Sequence, residues 1–249
     1  TDRPVLDPNP LPMDDEDDDF DLDLDADNDH AQGSDVEDLH DQRELELGLP
    51  ERGGRARLKL ARHLLLQQKS ERERFSIDDH ELIALFGSNR AENLGVVVRS
   101  SSEIELDELA LFAAGGHDKV TLREKGSGGL EFMTVHGQSG HDWLDARRYR
   151  TAIELDGGKG RDVLIGGAAE SELWGGPGAD TFQLRAKGAG LQVLMDFDPQ
   201  QDRLHFLFDT NNLRLQKQDD DLWLMKDEQA LAVFAGFSDD RDLIRSLIS

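Results

Sequence analysis

Three consecutive nine-residue units decide the fold of this chain: Gly157–Ile165 is GGKGRDVLI, Gly166–Trp174 is GGAAESELW, and Gly175–Gln183 is GGPGADTFQ. Each unit opens with two glycines and closes with three residues typical of a strand. A fourth unit, Gly137–Asp145 (GQSGHDWLD), fits the same frame with one glycine replaced. Ten of the 24 glycines lie between residues 137 and 180, so the sequence predicts a repeat architecture.

The repeated pattern, Gly-Gly-x-Gly-x-Asp-x-apolar-x, resembles the calcium-binding nonapeptide of the RTX (repeats-in-toxin) proteins that Gram-negative bacteria secrete. The resemblance implies that six residues of each unit form a turn and three a short strand, so that two units make one coil of a parallel β-roll. A single copy would fit a glycine-rich hairpin turn, but two intact copies around a Gly-Gly unit favour the β-roll. The implied calcium ligands are Asp142, Asp162, Asp180 and the carbonyl groups of Gly158, Gly160, Gly176 and Gly178.

The spacing of the aspartates agrees with a row of ions along one side of the roll. Asp162 and Asp180 are 18 residues apart, which is one coil, and Asp142 precedes Asp162 by 20 residues. Carboxylates on adjacent coils lie about 4.8 Å apart and repel by about 3.5 kcal/mol at an effective dielectric of about 20. Because Ca²⁺ binds oxygen at about 2.3–2.6 Å, an ion between two carboxylates removes this repulsion. We expect two calcium sites, one in each gap between these three aspartates.

Neighbouring units match the pattern less well. On the opposite side of the roll, Ser171 stands at the ligand position and the stretch 146–154 lacks the glycines, so that side is expected not to bind calcium. Upstream, residues 115–122 (GGHDKVTL) are interpreted as a degenerate repeat, with Asp118 either a calcium ligand or a turn residue.

Three acids downstream are either ligands of a further ion or exposed loop residues: Asp196, Asp198 and Asp202. The residues expected to fill the interior are Val163, Ile165, Leu173 and Phe182.

The region after the repeats is similar to the C-terminal portion of serralysin-type modules, in which further strands close the roll and lead into an uncleaved secretion signal. The matching stretches are residues 179–206 and 221–225. The resemblance implies a C-terminal cap over residues 207–249 that ends in a type I secretion signal, and the aliphatic residues of Asp242–Ser249 fit such a signal. It also implies the type I secretion machinery as a partner and an extracellular location.

The N-terminal part is strongly acidic. Residues 1–41 hold 17 acids and one base, and the whole chain has a formal net charge of −25. Such a segment cannot bury enough apolar surface to offset chain entropy, so residues 1–50 are predicted to be disordered. The alternating acids of Asp21–Asp29 lack the glycine and the final glutamate of an EF-hand loop. The net charge excludes nucleic-acid binding as the main function.

Residues 51–92 are predicted to be helical. Eight lysines and arginines between Arg52 and Arg74 surround apolar residues at helical spacing, and a short helix is expected over residues 78–87. The basic helix either docks on its own domain, faces the acidic segment or contacts an anionic membrane surface. The β-roll is expected over residues 93–206, with its core at 137–183 and early strands at 95–99 and 103–107.

Several classes of protein are disfavoured by what the chain lacks. No apolar stretch reaches the roughly 18–20 residues that span a bilayer. Zero cysteines exclude disulfides, cysteine-bound zinc and a thiol nucleophile. The zinc-protease motif begins at His80-Glu81 but has Ala84 in place of its second histidine, and no nucleophile elbow or Walker loop is present. The chain is therefore interpreted as non-catalytic.

Two functions of different classes fit these patterns. The first is a calcium-binding, non-catalytic C-terminal module of a secreted RTX-like protein, which folds on extracellular Ca²⁺ after type I secretion. The second is the C-terminal part of a secreted enzyme (a protease, lipase or epimerase) or of an adhesin, with the active domain upstream. A chain that does not start with methionine fits a fragment or a processed product. In both cases the expected fold is all-β, a short parallel β-roll with C-terminal capping strands.

Overall fold

The structure is a computed structural model that describes residues 44–48, 54–60, 63–68, 71–76, 82–100, 106–126 and 130–237. This part of the chain is all-β, as expected, and contains no helix that could cross a membrane. The acidic run Asp14–Asp29 and the terminal segment Asp242–Ser249 lie outside the described residues. The strands are β1 Glu44–Gly48, β2 Gly54–Leu60, β3 His63–Gln68, β4 Glu71–Ser76, β5 Leu82–Phe86, β6 Glu92–Ser100, β7 Leu106–Phe112, β8 Gly115–Gly116, β9 Lys119–Gly126, β10 Leu130–His136, β11 Ser139–Gly140, β12 Trp143–Arg148, β13 Ile153–Asp156, β14 Lys159–Gly160, β15 Val163–Ile165, β16 Ser171–Trp174, β17 Thr181–Leu184, β18 Gln192–Leu194, β19 Arg203–Phe206, β20 Leu213–Gln218, β21 Asp221–Lys226 and β22 Gln229–Phe234.

The strands form two long sheets and one small one. Sheet A has the order β1-β5-β7-β10-β13-β16-β18-β22-β21-β20, and sheet B has the order β19-β17-β15-β12-β9-β6-β2-β3-β4. The two-residue strands β14, β11 and β8 pair with one another at the turns. From β6 to β19 the chain alternates between sheets A and B, and its neighbours in each sheet are parallel. The chain therefore winds into a stack of parallel coils, which confirms the expected fold class.

In the segment expected to be helical, residues 51–92, the residues that the structure describes lie mostly in strands. β2, β3 and β4 cover most of the basic region, and β5 replaces the helix expected over residues 78–87. The sequence of β2, GRARLKL, alternates cationic and apolar residues with a period of two, so its apolar spacing fits a strand as well as a helix. In β5, pairing with the neighbouring strand favours the strand over the helix, because every residue has a partner in β7 and both Ile83 and Leu85 are buried.

Two expected segment boundaries also differ from the structure. β1 lies within the segment 1–50 that was expected to be disordered, and it pairs with β5 along its whole length. The boundary expected between residues 92 and 93 falls inside β6, which begins at Glu92. The strand expected over residues 95–99 lies within β6, and β7 begins at Leu106, since residues 101–105 lie outside the described residues.

The interior between the sheets is a thin column of apolar side chains. Leu144, Leu164 and Phe182 are in register on sheet B, and each is 0% exposed. The matching column on sheet A is Leu155, Leu173 and Leu194. Val163, which was expected inside, is only half-buried, because the next residue in β15 takes the inward position. Each large side chain that is fully buried in this way stabilises the fold by about 1.5–3 kcal/mol.

The C-terminal strands cap the stack. β22 pairs in parallel with β18, and β21 and β20 then follow in antiparallel order at the end of sheet A. Phe197 fills the last coil, with its ring centroid 5.7 Å from that of Phe182 and 5.3 Å from that of Phe234. Capping strands were expected over residues 207–249, and the structure describes this cap as far as residue 237.

The turns on one side of the solenoid stack directly on one another. The backbone φ angles of Gly116, Gly140 and Gly160 are 134°, 152° and 149°. A Cβ on Gly140 would lie 1.6 Å from the carbonyl oxygen of Gly116 in the preceding coil. Glycine is therefore required at this position both for the backbone conformation and for the contact between coils.

We expect Gly140→Ala to disrupt the stack, because the added methyl group overlaps a backbone oxygen that cannot move without its own coil. Gly188→Ala is the matched control, since Gly188 has a φ of 68° but no atom within 4 Å of the added Cβ. The control should lose only about 1–2 kcal/mol of unfolding free energy, which is the cost of placing a non-glycine residue in the left-handed conformation. Thermal unfolding followed by circular dichroism measures both variants. Equal losses of Tm would contradict the stacked-turn geometry.

Candidate metal centre

A row of aspartates runs along the side of the solenoid where the glycine turns stack. We call Asp118, Asp142, Asp162, Asp180 and Asp202 the aspartate ladder. The backbone N–H groups of Glu92 and of every ladder aspartate except Asp202 donate to Oδ1 of the aspartate in the next coil. The donor–acceptor distances are 2.7 Å from Glu92, 2.7 Å from Asp118, 2.7 Å from Asp142, 2.8 Å from Asp162 and 2.9 Å from Asp180.

The second carboxylate oxygen of the four inner aspartates has no hydrogen-bond partner. Oδ2 of Asp118, Asp142, Asp162 and Asp180 is buried and unpaired among the described residues. These side chains are 2%, 2%, 1% and 0% exposed in the same order. A buried polar oxygen without a partner costs roughly 1–3 kcal/mol, and more when it carries charge. The ladder therefore presents a column of unsatisfied oxygens.

The last aspartate of the ladder differs from the others. Asp202 accepts the N–H of Asp180 at Oδ1 and the N–H of Asp198 at Oδ2, at 2.9 and 2.8 Å. Both of its oxygens are therefore satisfied by the protein itself. At the opposite end, the carboxylate of Glu92 accepts a hydrogen bond from the hydroxyl of Ser88 at 2.7 Å. The unsatisfied oxygens are thus confined to the four coils between these two ends.

Glycine leaves room for oxygens beside Asp142 and Asp162. A Cβ on Gly157 would lie 2.9 Å from Oδ2 of Asp162 and 2.9 Å from the carbonyl oxygen of Gly175. One coil earlier, a Cβ on Gly137 would lie 2.7 Å from Oδ2 of Asp142 and 2.6 Å from the carbonyl oxygen of Gly157. A carboxylate oxygen and a backbone carbonyl oxygen thus converge where a larger residue would intrude. This arrangement supplies the hard oxygen donors that calcium prefers.

Burial raises the pKa of all four inner aspartates, since desolvation penalises the charged form. From the ordinary value of 3.8, the pKa rises to about 7 for Asp118, about 6 for Asp142, about 8 for Asp162 and about 7 for Asp180. The hydrogen bond that each Oδ1 accepts lowers the pKa and offsets part of the rise. Neighbouring carboxylates raise the pKa of Asp162 further because both adjacent aspartates repel its charge.

The structure brings the predicted residues to one side of the solenoid. Asp142, Asp162 and Asp180 are consecutive members of the ladder. The predicted carbonyl donors lie in the same stacked turns, where the carbonyl oxygen of Gly158 approaches Gly176 and that of Gly160 approaches Gly178. The carbonyls of the first glycines of the turns, at residues 157 and 175, were not predicted, although they lie beside the ladder oxygens.

Asp118 was expected from the sequence to be either a calcium ligand or a turn residue, and it was not among the predicted site residues. Its turn begins with two alanines (AAGGHD), so it lacks the opening glycine pair. Ala114 nevertheless has a φ of 73°, close to the 69° of Gln138 and the 84° of Gly158 at the same turn position. The shared His-Asp pair at 117–118 and 141–142, with glycine just before each, is the signal that relates the two turns. His117 and His141 stack with ring centroids 4.8 Å apart.

Among the described turns on the opposite side of the solenoid, the residue at the ligand position of the Gly166 turn is a serine. The hydroxyl of Ser171 accepts the N–H of Gly167 at 2.9 Å and donates to the carbonyl of Ala169, so it serves its own turn. The downstream acid Asp196 also accepts hydrogen bonds from the backbone of a turn. Asp196 accepts the N–H groups of Gly175 and Gly176 at 2.7 and 2.8 Å.

Within the described ranges, no three histidine, aspartate or glutamate side chains are grouped so that they could hold a metal ion by themselves. The ladder offers one carboxylate per coil, so an ion there needs backbone carbonyl oxygens as well. Comparisons of the chain with protein-family profiles, with curated proteins and with solved structures find no match.

Without divalent ions, the folded protein should lose stability as the pH rises. The pKa of each inner aspartate is higher in the folded state than in the unfolded state, so the folded state binds more protons between these values. We expect unfolding free energy to fall by at least about 2 kcal/mol from about pH 5 to about pH 8, measured by urea unfolding in chelator. Asp162→Asn, which keeps the Oδ1 acceptor, should flatten this slope. A stability that is constant or rises over this range would contradict the ladder.

Proposed function

We propose that this chain is a calcium-binding, non-catalytic module of a secreted RTX-like protein, which folds on extracellular calcium after type I secretion. The observation that carries the proposal is the column of four buried Oδ2 atoms without hydrogen-bond partners. A cation is the partner that such oxygens lack, because ionised carboxylates only accept hydrogen bonds and repel one another.

The donor chemistry supports calcium over softer metals. The oxygens beside the ladder are carboxylate and backbone carbonyl oxygens, and the chain has no cysteine. In the histidines that precede Asp118 and Asp142, Nδ1 is already used, since Nδ1 of His117 accepts the N–H of His141 and Nδ1 of His141 accepts the N–H of Arg161, both at 2.9 Å. Oxygen-only sites favour Ca²⁺ or Mg²⁺, and a site of several carbonyls with few waters suits the larger ion.

The ladder supports one candidate calcium site more than the two expected from the sequence. Asp118 has the same buried, unpaired Oδ2 as Asp142, so the gap between their coils is a third candidate. Asp202 is not a candidate, because the protein already satisfies both of its oxygens. Asp118, Asp142, Asp162 and Asp180 would hold the ions together with turn carbonyls, and the ions would supply the positive charge that the buried carboxylates lack.

Calcium binding in this ladder is coupled to folding. Consecutive aspartates from Asp118 to Asp180 are 24, 20 and 18 residues apart in the chain, so they meet only after the coils between them have formed. An unfolded chain in a calcium-poor cytosol would therefore bind few ions, and the same chain outside the cell would gain the binding free energy as folding free energy. This coupling supports a module that crosses a secretion channel unfolded.

Calcium should raise the stability of the full chain, and the effect should depend on Asp162. Asp162→Asn retains the Oδ1 acceptor but removes the charge next to two gaps, so we expect at least tenfold weaker binding, about 1.4 kcal/mol, in at least one site. Isothermal titration calorimetry measures the affinity, and circular dichroism in chelator and in calcium measures folding.

Asp202→Asn is the matched control for this titration. It also replaces a buried ladder aspartate, but one whose two oxygens already accept backbone N–H groups. We expect it to lower stability while leaving the number of bound calcium ions unchanged. A wild-type chain that neither binds calcium nor gains stability in millimolar calcium would refute the proposal.

A further inference from the structure

The outer face of sheet A is acidic. Its coil strands β5, β7, β10, β13, β16 and β18 contain no lysine or arginine. The acids on these strands whose side chains the structure describes are Glu108, Glu131, Glu154, Asp156 and Glu172. Glu154 and Glu172 are in register on adjacent coils, and the pKa of Glu154 is raised by burial and by the neighbouring carboxylates. These coil strands therefore concentrate negative charge, and the lysines and arginines of sheet A whose strands pair beyond them, Arg214, Lys217 and Lys226, lie on the cap strands β20 and β21.

The outer face of sheet B is basic. Strands β9, β12 and β19 carry Lys119, Arg123, Lys125, Arg147, Arg148 and Arg203. The two acids on these strands are withdrawn from the surface. Glu124 is 8% exposed and accepts the N–H of Arg150, and Asp145 is 6% exposed and binds Arg147 at 2.6 Å. The two faces of one molecule thus have opposite charge.

The charges on the two faces repeat at the same interval. On sheet A, Glu154 and Glu172 are paired in adjacent strands, and on sheet B, Arg123 and Arg148 are paired in adjacent strands. Because the same coils build both sheets, each pair is separated by one strand spacing of about 4.8 Å. A pair of arginines on one copy therefore matches a pair of glutamates on another without any change of register.

Aromatic rings on sheet A add a second attraction for cations. The rings of Phe112 and His136 stack with centroids 4.7 Å apart, and Trp174 is 36% exposed in the same row of residues. Arginine side chains stack on such rings through cation–π contacts, which are worth about 0.5–1 kcal/mol at exposed sites. Acid groups and aromatic rings thus lie side by side on the surface that would receive the arginines.

We propose that the acidic face of sheet A of one copy docks on the basic face of sheet B of a second copy of this chain. The contact uses two different faces, so it is heterologous and leaves one free face at each end of a row. Molecules would associate face to face in open-ended rows, reversibly and in a salt-dependent way. An anionic surface as the partner of sheet B would leave the acidic and aromatic face of sheet A unexplained, and a second copy accounts for both.

The test is sedimentation of the full chain at one fixed calcium concentration. We expect the sedimentation coefficient to rise with protein concentration in about 10 mM salt, where charges act over about 30 Å, and to return to the monomer value in about 1 M salt. The double variant Glu154→Lys/Glu172→Lys and the double variant Arg123→Glu/Arg148→Glu should each weaken self-association by at least about tenfold. A 1:1 mixture of the two should associate again, because each then offers the charge that the other lacks.

Two further variants separate charge from folding and position. Asp219→Lys/Asp220→Lys changes the net charge by the same amount on exposed residues of the turn between β20 and β21, outside the coil strands of both faces, and should leave association unchanged. If the Glu154→Lys/Glu172→Lys variant does not fold, the neutral variant Glu154→Gln/Glu172→Gln takes its place. It should also weaken self-association. The proposal is wrong if the wild type stays monomeric in low salt, if the face variants associate like the wild type, or if the wild type binds only vesicles containing anionic lipid.

Discussion

Neutralisation of a row of buried carboxylates is the constraint on which this solenoid depends. Four aspartates on successive coils each use one oxygen to accept the backbone N–H of the preceding coil, and each buries a second oxygen with no partner. The first oxygen ties neighbouring coils together, whereas the second opposes folding when it is charged. A proton or a cation must therefore accompany every inner coil, because an unpaired buried charge costs far more than one hydrogen bond returns.

The same ladder makes the coils depend on one another. In a solenoid each repeat contacts only its neighbours, so stability grows along one dimension from repeat to repeat. Here the backbone N–H of an aspartate finds its carboxylate acceptor only when the next coil is in place. A candidate ion site between two coils likewise exists only when both coils are formed. Asp202 ends the row by satisfying both of its oxygens, and strands β20 to β22 cover the adjacent end of sheet A. The ladder and the cap thus terminate in the same part of the chain.

The sequence was most informative where glycine is obligatory. The glycine pairs and the aspartate position matched the RTX nonapeptide, and that resemblance implied parallel coils. Asp142, Asp162 and Asp180 stack on one side as those coils require. Asp118 was not assigned because alanines replace the opening glycines of its turn, and Ala114 adopts the left-handed conformation all the same. The unpaired oxygens could not be predicted, since they depend on burial by neighbouring coils. Helices were expected over residues 51–92, where most of the described residues form strands β2 to β5: short apolar runs fit the period of a helix and that of a strand, and β2 and β5 pair with β6 and β7.

The most direct test of the account is a crystal structure of the full chain grown in calcium, with anomalous difference density measured along the ladder. We predict calcium within about 2.3–2.6 Å of Oδ2 in the gaps between Asp118, Asp142, Asp162 and Asp180, and none at Asp202. Oδ2 atoms that face only protein or water, with no anomalous density between the coils, would contradict it.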